Sequence, residues 1–163
     1  MGSGCMKGSE NVYFRCRKEA ATWDERLSSR EGAAELLGVS PSTVADYELG
    51  NTKFVPADKV DLMAYIYNCP ELRTLYCKRE CPIGKRLPLA TDTGSLEGAV
   101  LRFLKEFDKD KLEDIRNGLI DIAADGKIDD SERPELQVLL HMMDGLSLIL
   151  SELQLIGEKA LKE

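Results

Sequence analysis

Five cysteines in a chain of 163 residues are the first side chains with chemistry to offer. Four of them, Cys16, Cys69, Cys77 and Cys81, lie within residues 11–84, the N-terminal domain. Cys77 and Cys81 are spaced i, i+4, which puts both thiols on one helical face or folds them around the turn where a helix ends before Pro82. Converging thiolates suit zinc or an iron-sulfur cluster, and the candidate metal set is Cys16, Cys77 and Cys81, with Cys69 as a fourth. Lys78 and Arg79 beside the pair could equally depress a thiol pKa and make it redox-active. The third reading is four small buried hydrophobes. In a reducing compartment, structural disulfides are not expected.

A second group imitates a calcium loop. In residues 121–132, Asp121, Asp125, Gly126, Ile128, Asp129 and Glu132 match positions 1, 5, 6, 8, 9 and 12 of an EF-hand. Position 3 is Ala123, which has no side-chain oxygen. The competing reading is a helix stop at Gly126 and a restart capped by Asp129, Asp130 or Ser131. The single histidine, His141, sits among leucines and methionines, which predicts a partly buried structural or interface role. No phosphate-binding Gly-rich loop, nucleophile elbow or His-Glu-x-x-His occurs, so an enzyme is not expected.

The elements that must position these residues read as helices almost throughout. Residues 1–10, with Gly2, Ser3, Gly4, Gly8 and Ser9, read as a flexible tail that also holds Cys5. A helix is predicted from Val12 to about Glu25, and Ser28 or Ser29 caps the next, Ser28 and Glu31 having capping-box spacing. That second helix stops at Gly38, and Ser40 caps a third with Pro41 at its first position. Two short helices across a Gly-containing turn make a helix-turn-helix, with Ala34, Leu37, Val39, Val44 and Tyr47 inward and Ser42, Thr43 and Asp46 outward. Pro56 opens a fourth helix with Val60, Met63, Ala64 and Tyr67 inside, and Pro70 opens a fifth.

Five short helices with this turn, and above all the run Ala33-Ala34-Glu35-Leu36-Leu37-Gly38-Val39-Ser40 followed by Tyr47-Glu48-Leu49-Gly50, resemble the DNA-binding domain of phage-repressor, Cro and XRE-type regulators. The resemblance covers about half the chain, residues 11–84. It implies that the helix 41–49 enters the major groove of double-stranded DNA, with Ser42, Thr43 and Asp46 at base edges and Ser40 at a phosphate. Arg30, Asn51 and Lys53 would hold the backbone. It also implies that the first and fifth helices lie side by side, which would carry Cys16 toward Cys77 and Cys81. The reading face departs from the common pattern in holding an acid and no Arg or Gln, so bidentate guanine recognition is not available from it. The alternative is a helix-turn-helix adaptor that binds a protein partner, with or without a cysteine metal site, and no specific DNA.

Charge divides the chain in the same place. The formal charge is −7, yet residues 1–88 carry 13 Lys+Arg and 12 Asp+Glu, and residues 89–163 carry 9 and 17. Bulk electrostatic attraction to nucleic acid is thereby excluded as the main source of binding. The Pro-, Gly- and Thr-containing stretch 81–95 reads as a linker to a C-terminal domain, 95–163. There, Ser95 caps a helix with Leu96, Val100, Phe103, Leu104 and Phe107 on one face, and Leu112, Ile115, Leu119 and Ile122 line another. A long last helix repeats Leu136, Leu139, Met143, Leu146, Leu150 and Leu153 as a heptad seam. Leu140, Met142, Ile149 and Ile156 widen the stripe, which suits a helical bundle, alone or as a homodimer that spaces two reading helices one DNA turn apart. No apolar run approaches ~20 residues and residues 1–10 lack a signal-peptide core, so the expectation is an all-α cytoplasmic protein without a membrane partner.

Overall fold

The computed structural model describes residues 11–162; the N-terminal tail and Cys5 lie outside the described residues. Among these, eight α-helices and two 3-10 turns form the fold, with no strand. Two compact units result: the chain up to Arg86 together with the end from Glu158, and Leu87–Gly157.

In the first unit, α1 (Val12–Ala20) is capped by Asn11, whose side chain accepts from the Tyr13 amide. It is shorter than its apolar lines suggested. The chain turns over residues 21–24, where Asp24 Oδ1 accepts from the Arg26 amide and starts a 3-10 turn, Glu25–Ser28, that sinks Leu27 into the core. Asp24 thus ends one element by capping the next. Helix α2 (Arg30–Leu37) is capped by Ser29, which accepts from the Gly32 amide at 3.1 Å. Of the two expected caps Ser29 is the one used, because Ser28 is already spent in the 3-10 turn.

The turn between α2 and α3 (Pro41–Leu49) follows from its own residues. Gly38 takes φ 62°, a left-handed conformation that a side chain would strain, and Ser40 Oγ accepts from the Thr43 amide. Gly50, at φ 73°, ends α3 in the same way. Helices α4 (Ala57–Ile66) and α5 (Glu71–Arg79) complete the five-helix unit. Leu27, Leu37, Val44, Val60, Met63, Tyr67 and Leu72 are its fully buried centre. A second 3-10 turn, Gly84–Arg86, follows α5.

In the second unit, α7 (Lys109–Ala123) and α8 (Arg133–Ala160) are joined through Ile115, Ile122 and Leu139, with Leu119, Leu136, Met142 and Leu146 around them. The face in use is therefore Leu136, Leu139, Met142 and Leu146. Met143 and Leu150 of the expected seam are exposed, since a helix packed on one neighbour follows its own period rather than a 3.5-residue supercoil. Ile149 and Leu155 are buried further along α8, where Ser151 Oγ accepts from the Ala90 amide. Helix α6 (Leu96–Glu106), capped by Ser95, buries only Ala99. Its Leu96, Val100, Leu101 and Leu104 face outward, and Arg102 binds the Glu152 carboxylate at 2.6 Å. By length and composition alone, α8 is long and apolar enough to cross a membrane. The sequence reading missed this because polar residues interrupt the run.

Residues 121–132 fold as a stop and restart. Asp121 lies inside α7, Gly126 takes φ 72°, and Asp129 Oδ1 accepts from the Ser131 and Glu132 amides while Glu132 accepts from the Asp129 amide. The Ser131 hydroxyl, which also donates to Oδ1, and then the two amides hold the Asp129 carboxyl below its ordinary pKa. The carboxylates serve backbone amides, and no three-ligand group forms there among the described residues.

Two glycines in helices make a paired prediction about packing. A Cβ on Gly32 would collide with the Arg26 carbonyl, part of the backbone, whereas one on Gly145 of α8 would meet nothing within 4 Å. Gly145→Ala should therefore stabilise by about 0.5–1 kcal/mol through helix propensity. Gly32→Ala should reverse the sign and cost about 2 kcal/mol, read from urea midpoints.

Candidate nucleic-acid interface

Helix α3 is held from behind by a buried ion pair. Glu48, 1% exposed, accepts from both Nε and Nη2 of Arg17 on α1, the latter at 3.1 Å. The rest of the Arg17 fork is also used: Nη1 donates to the Leu27 and Ser28 carbonyls at 2.9 and 3.2 Å. Arg30, at the start of α2, adds Nε to the second Glu48 oxygen at 2.7 Å. One carboxylate thus fixes α3 against α1 and α2, and Arg17 extends the tie to the 3-10 turn. Lys59 of α4 donates to the Leu37 carbonyl at 2.8 Å, satisfying the end of α2, and Asn11 Nδ2 donates to the Tyr47 carbonyl.

The other side of α3 faces solvent. Ser40, Ser42 and Asp46 are exposed and Thr43 is half-buried. Ser40 Oγ lies 2.8 Å from both the Ser42 and Thr43 hydroxyls, a small cluster at the helix start. At the other end, Asn51 Nδ2 donates to Asp46 Oδ1 at 3.1 Å. Five of the expected residues, Ser40, Ser42, Thr43, Asp46 and Asn51, therefore belong to α3 and its two ends. Lys53 is exposed beyond them, its ammonium 5.4 Å from the Phe54 ring. Arg30 has a further task that its sequence position did not reveal, the bond to Glu48. At the exposed end of α2 it is still 37% accessible.

The cysteines assemble differently from expectation. Cys16 is bonded to Cys69 in a disulfide with Cα atoms 6.1 Å apart, and both are 1% exposed. Cys77 and Cys81 are free and half-buried. The set Cys16, Cys77, Cys81 is thus not formed: α1 presents Cys16 to the segment entering α5, where Cys69 stands, and not to the end of α5. Among the described residues, one group of three ligand atoms lies close enough to share a metal ion, Cys16, Cys69 and Glu71. His141 is exposed on α8, not partly buried.

Arg17 and Glu48 were missed as positioning residues, although a signal existed. Glu48 follows Val44 by four residues and Arg17 follows Tyr13 by four, so each charge falls on an inward face. A charge on a core face requires a partner of opposite sign.

No family model, curated protein or solved structure matches this chain.

Glu48→Gln keeps the side-chain shape and leaves two cations on a buried site without their anion. Urea unfolding should show a loss of about 3 kcal/mol or more. A loss below about 1 kcal/mol would mean that the network is not what seats α3.

Proposed function

We propose that the chain is a sequence-specific DNA-binding transcriptional regulator of bacterial or phage type, reading the major groove with α3. The observation that carries this reading is a short helix seated by a buried carboxylate, with polar hydroxyl and amide groups at its solvent-facing ends. Ser42 and Thr43 offer hydroxyls to base edges, and Asp46 accepts from a cytosine amino group. Ser40 and the α3 amides meet a phosphate, and Arg30, Asn51 and Lys53 hold the backbone. The protein acts in the cytoplasm, apart from the membrane.

One such helix reads few base pairs, so the regulator works as a homodimer joined through the C-terminal helices. The exposed leucines of α6, Leu96, Leu101 and Leu104, support that part of the reading. The second reading, an adaptor for a protein partner, is favoured by one observation: α3 carries no Lys or Arg and includes an acid on its exposed face.

Gel shifts of the full chain on fragmented bacterial and phage DNA separate the two. The regulator retains a discrete set of fragments, more weakly as salt rises; retention with no sequence preference, or none at all, favours the adaptor. On a retained fragment, Ser42→Ala with Thr43→Ala should weaken binding at least tenfold with the circular dichroism unchanged. An unchanged footprint would remove α3 as the reading helix.

A further inference from the structure

The segment that leads from α4 into α5 gathers polar atoms that the fold does not otherwise use. Asn68 takes φ 49°, Cys69 is bonded to Cys16, Pro70 is buried, and Glu71 begins α5. Glu71 is 7% exposed; its Oε1 lies 3.7 Å from the Lys159 ammonium, and Oε2 is buried with no hydrogen-bond partner. Asn68 donates through Nδ2 to the Lys159 carbonyl at 3.2 Å, yet its Oδ1 is likewise buried and unpartnered. An orphaned carboxylate oxygen is costly in a core, and one here belongs to a residue whose carboxylate lies within 4.8 Å of two sulfur atoms.

We infer that Cys16, Cys69 and Glu71 are a redox-gated site for a divalent thiophilic metal, with zinc as its best occupant. The gate is the disulfide itself. A dithiol reductant supplies two electrons and two protons, breaking the S–S bond to two thiols while the reductant closes to its own disulfide. Zn²⁺ then binds both sulfurs as thiolates, releasing two protons, and takes a Glu71 oxygen as the third ligand. Two thiolates, one carboxylate and the dication sum to one negative charge, which the Lys159 ammonium faces.

Geometry favours this occupant over the alternatives. Two Zn–S bonds of about 2.3 Å at a tetrahedral angle place the sulfurs roughly 3.8 Å apart. Cysteines with Cα atoms 6.1 Å apart reach that by side-chain rotation, with the backbone in place. Cys69 stands two residues before α5, across Pro70 at its N-cap. An iron-sulfur cluster needs more sulfur ligands than this site holds, and calcium or magnesium needs oxygen. The site is independent of the DNA reading, and its failure would leave that reading untouched.

The test uses the full chain, purified with a reductant, stripped by a chelator and titrated anaerobically with Co²⁺ as the probe. One equivalent should bind and produce a thiolate-to-cobalt charge-transfer band, displaced by Zn²⁺. The band should be absent from the oxidised chain, lost in Cys16→Ser and in Cys69→Ser, and intact in Cys77→Ser with Cys81→Ser. Glu71→Gln keeps both sulfurs and should weaken Co²⁺ binding at least tenfold, which decides the matter even where a cysteine variant fails to fold. Zinc should also raise the melting temperature of the reduced chain and not of the oxidised one. Absence of the band, its survival in Cys16→Ser, its loss in the Cys77 and Cys81 variant, or indifference to Glu71→Gln would overturn the assignment.

Discussion

The bond on which the N-terminal unit depends is the buried pairing of Arg17 with Glu48. A carboxylate at 1% exposure and a guanidinium at 2% are each unfavourable alone, so each requires the other, and that requirement fixes three elements at once. Arg17 spends its whole fork on Glu48 and on the Leu27 and Ser28 carbonyls. Both carbonyls at the end of the 3-10 turn are thereby given a donor. Apolar burial gives this unit most of its stability, but burial has no preferred direction. The ion pair supplies direction, and it decides which face of α3 is left outside.

From that constraint the exposed face follows. Val44, Tyr47 and Glu48 are turned inward, so Ser42 and Asp46 must be turned outward on a helix of this period. Arg30 links the two sides, because it touches the buried carboxylate while a third of it remains in solvent. A phosphate bound at Arg30 would be felt by Glu48 and hence by the seating of α3. The formal charge of −7 over the whole chain is compatible with this arrangement, since the excess acid belongs to the second half of the sequence.

What could be read in the sequence was what neighbouring residues decide among themselves. Gly38, Ser40, Pro41 and Gly50 specify a turn and its two helix ends through local conformational preference, and the structure has them in those roles. The inward set Val60, Met63, Ala64 and Tyr67 came from helical period alone. Contacts between distant residues carry no such signature. Arg17 and Glu48 are 31 positions apart, and Cys16 and Cys69 are 53 apart. The cysteine pairing was misjudged because it depends on which end of α5 meets α1, and nothing in the local sequence decides that. In the second unit the apolar stripe on α8 was wide enough to offer several seams, and only packing against Ile115 and Ile122 selects one. Of the candidate interface, the residue types and their helix were legible, whereas the bonds from Asp46 to Asn51 and from Glu48 to Arg30 were not.

The central claim is that one rigidly seated helix face meets DNA. Amide chemical-shift mapping of the ¹⁵N-labelled full chain, titrated with a retained duplex, tests it most directly. The account predicts shifts concentrated at Arg30, at residues 40–46 and at Asn51 to Lys53, with Arg17 and Glu48 responding through the carboxylate that Arg30 shares. Shifts confined to α6 and α8, or no saturable response anywhere, would contradict it.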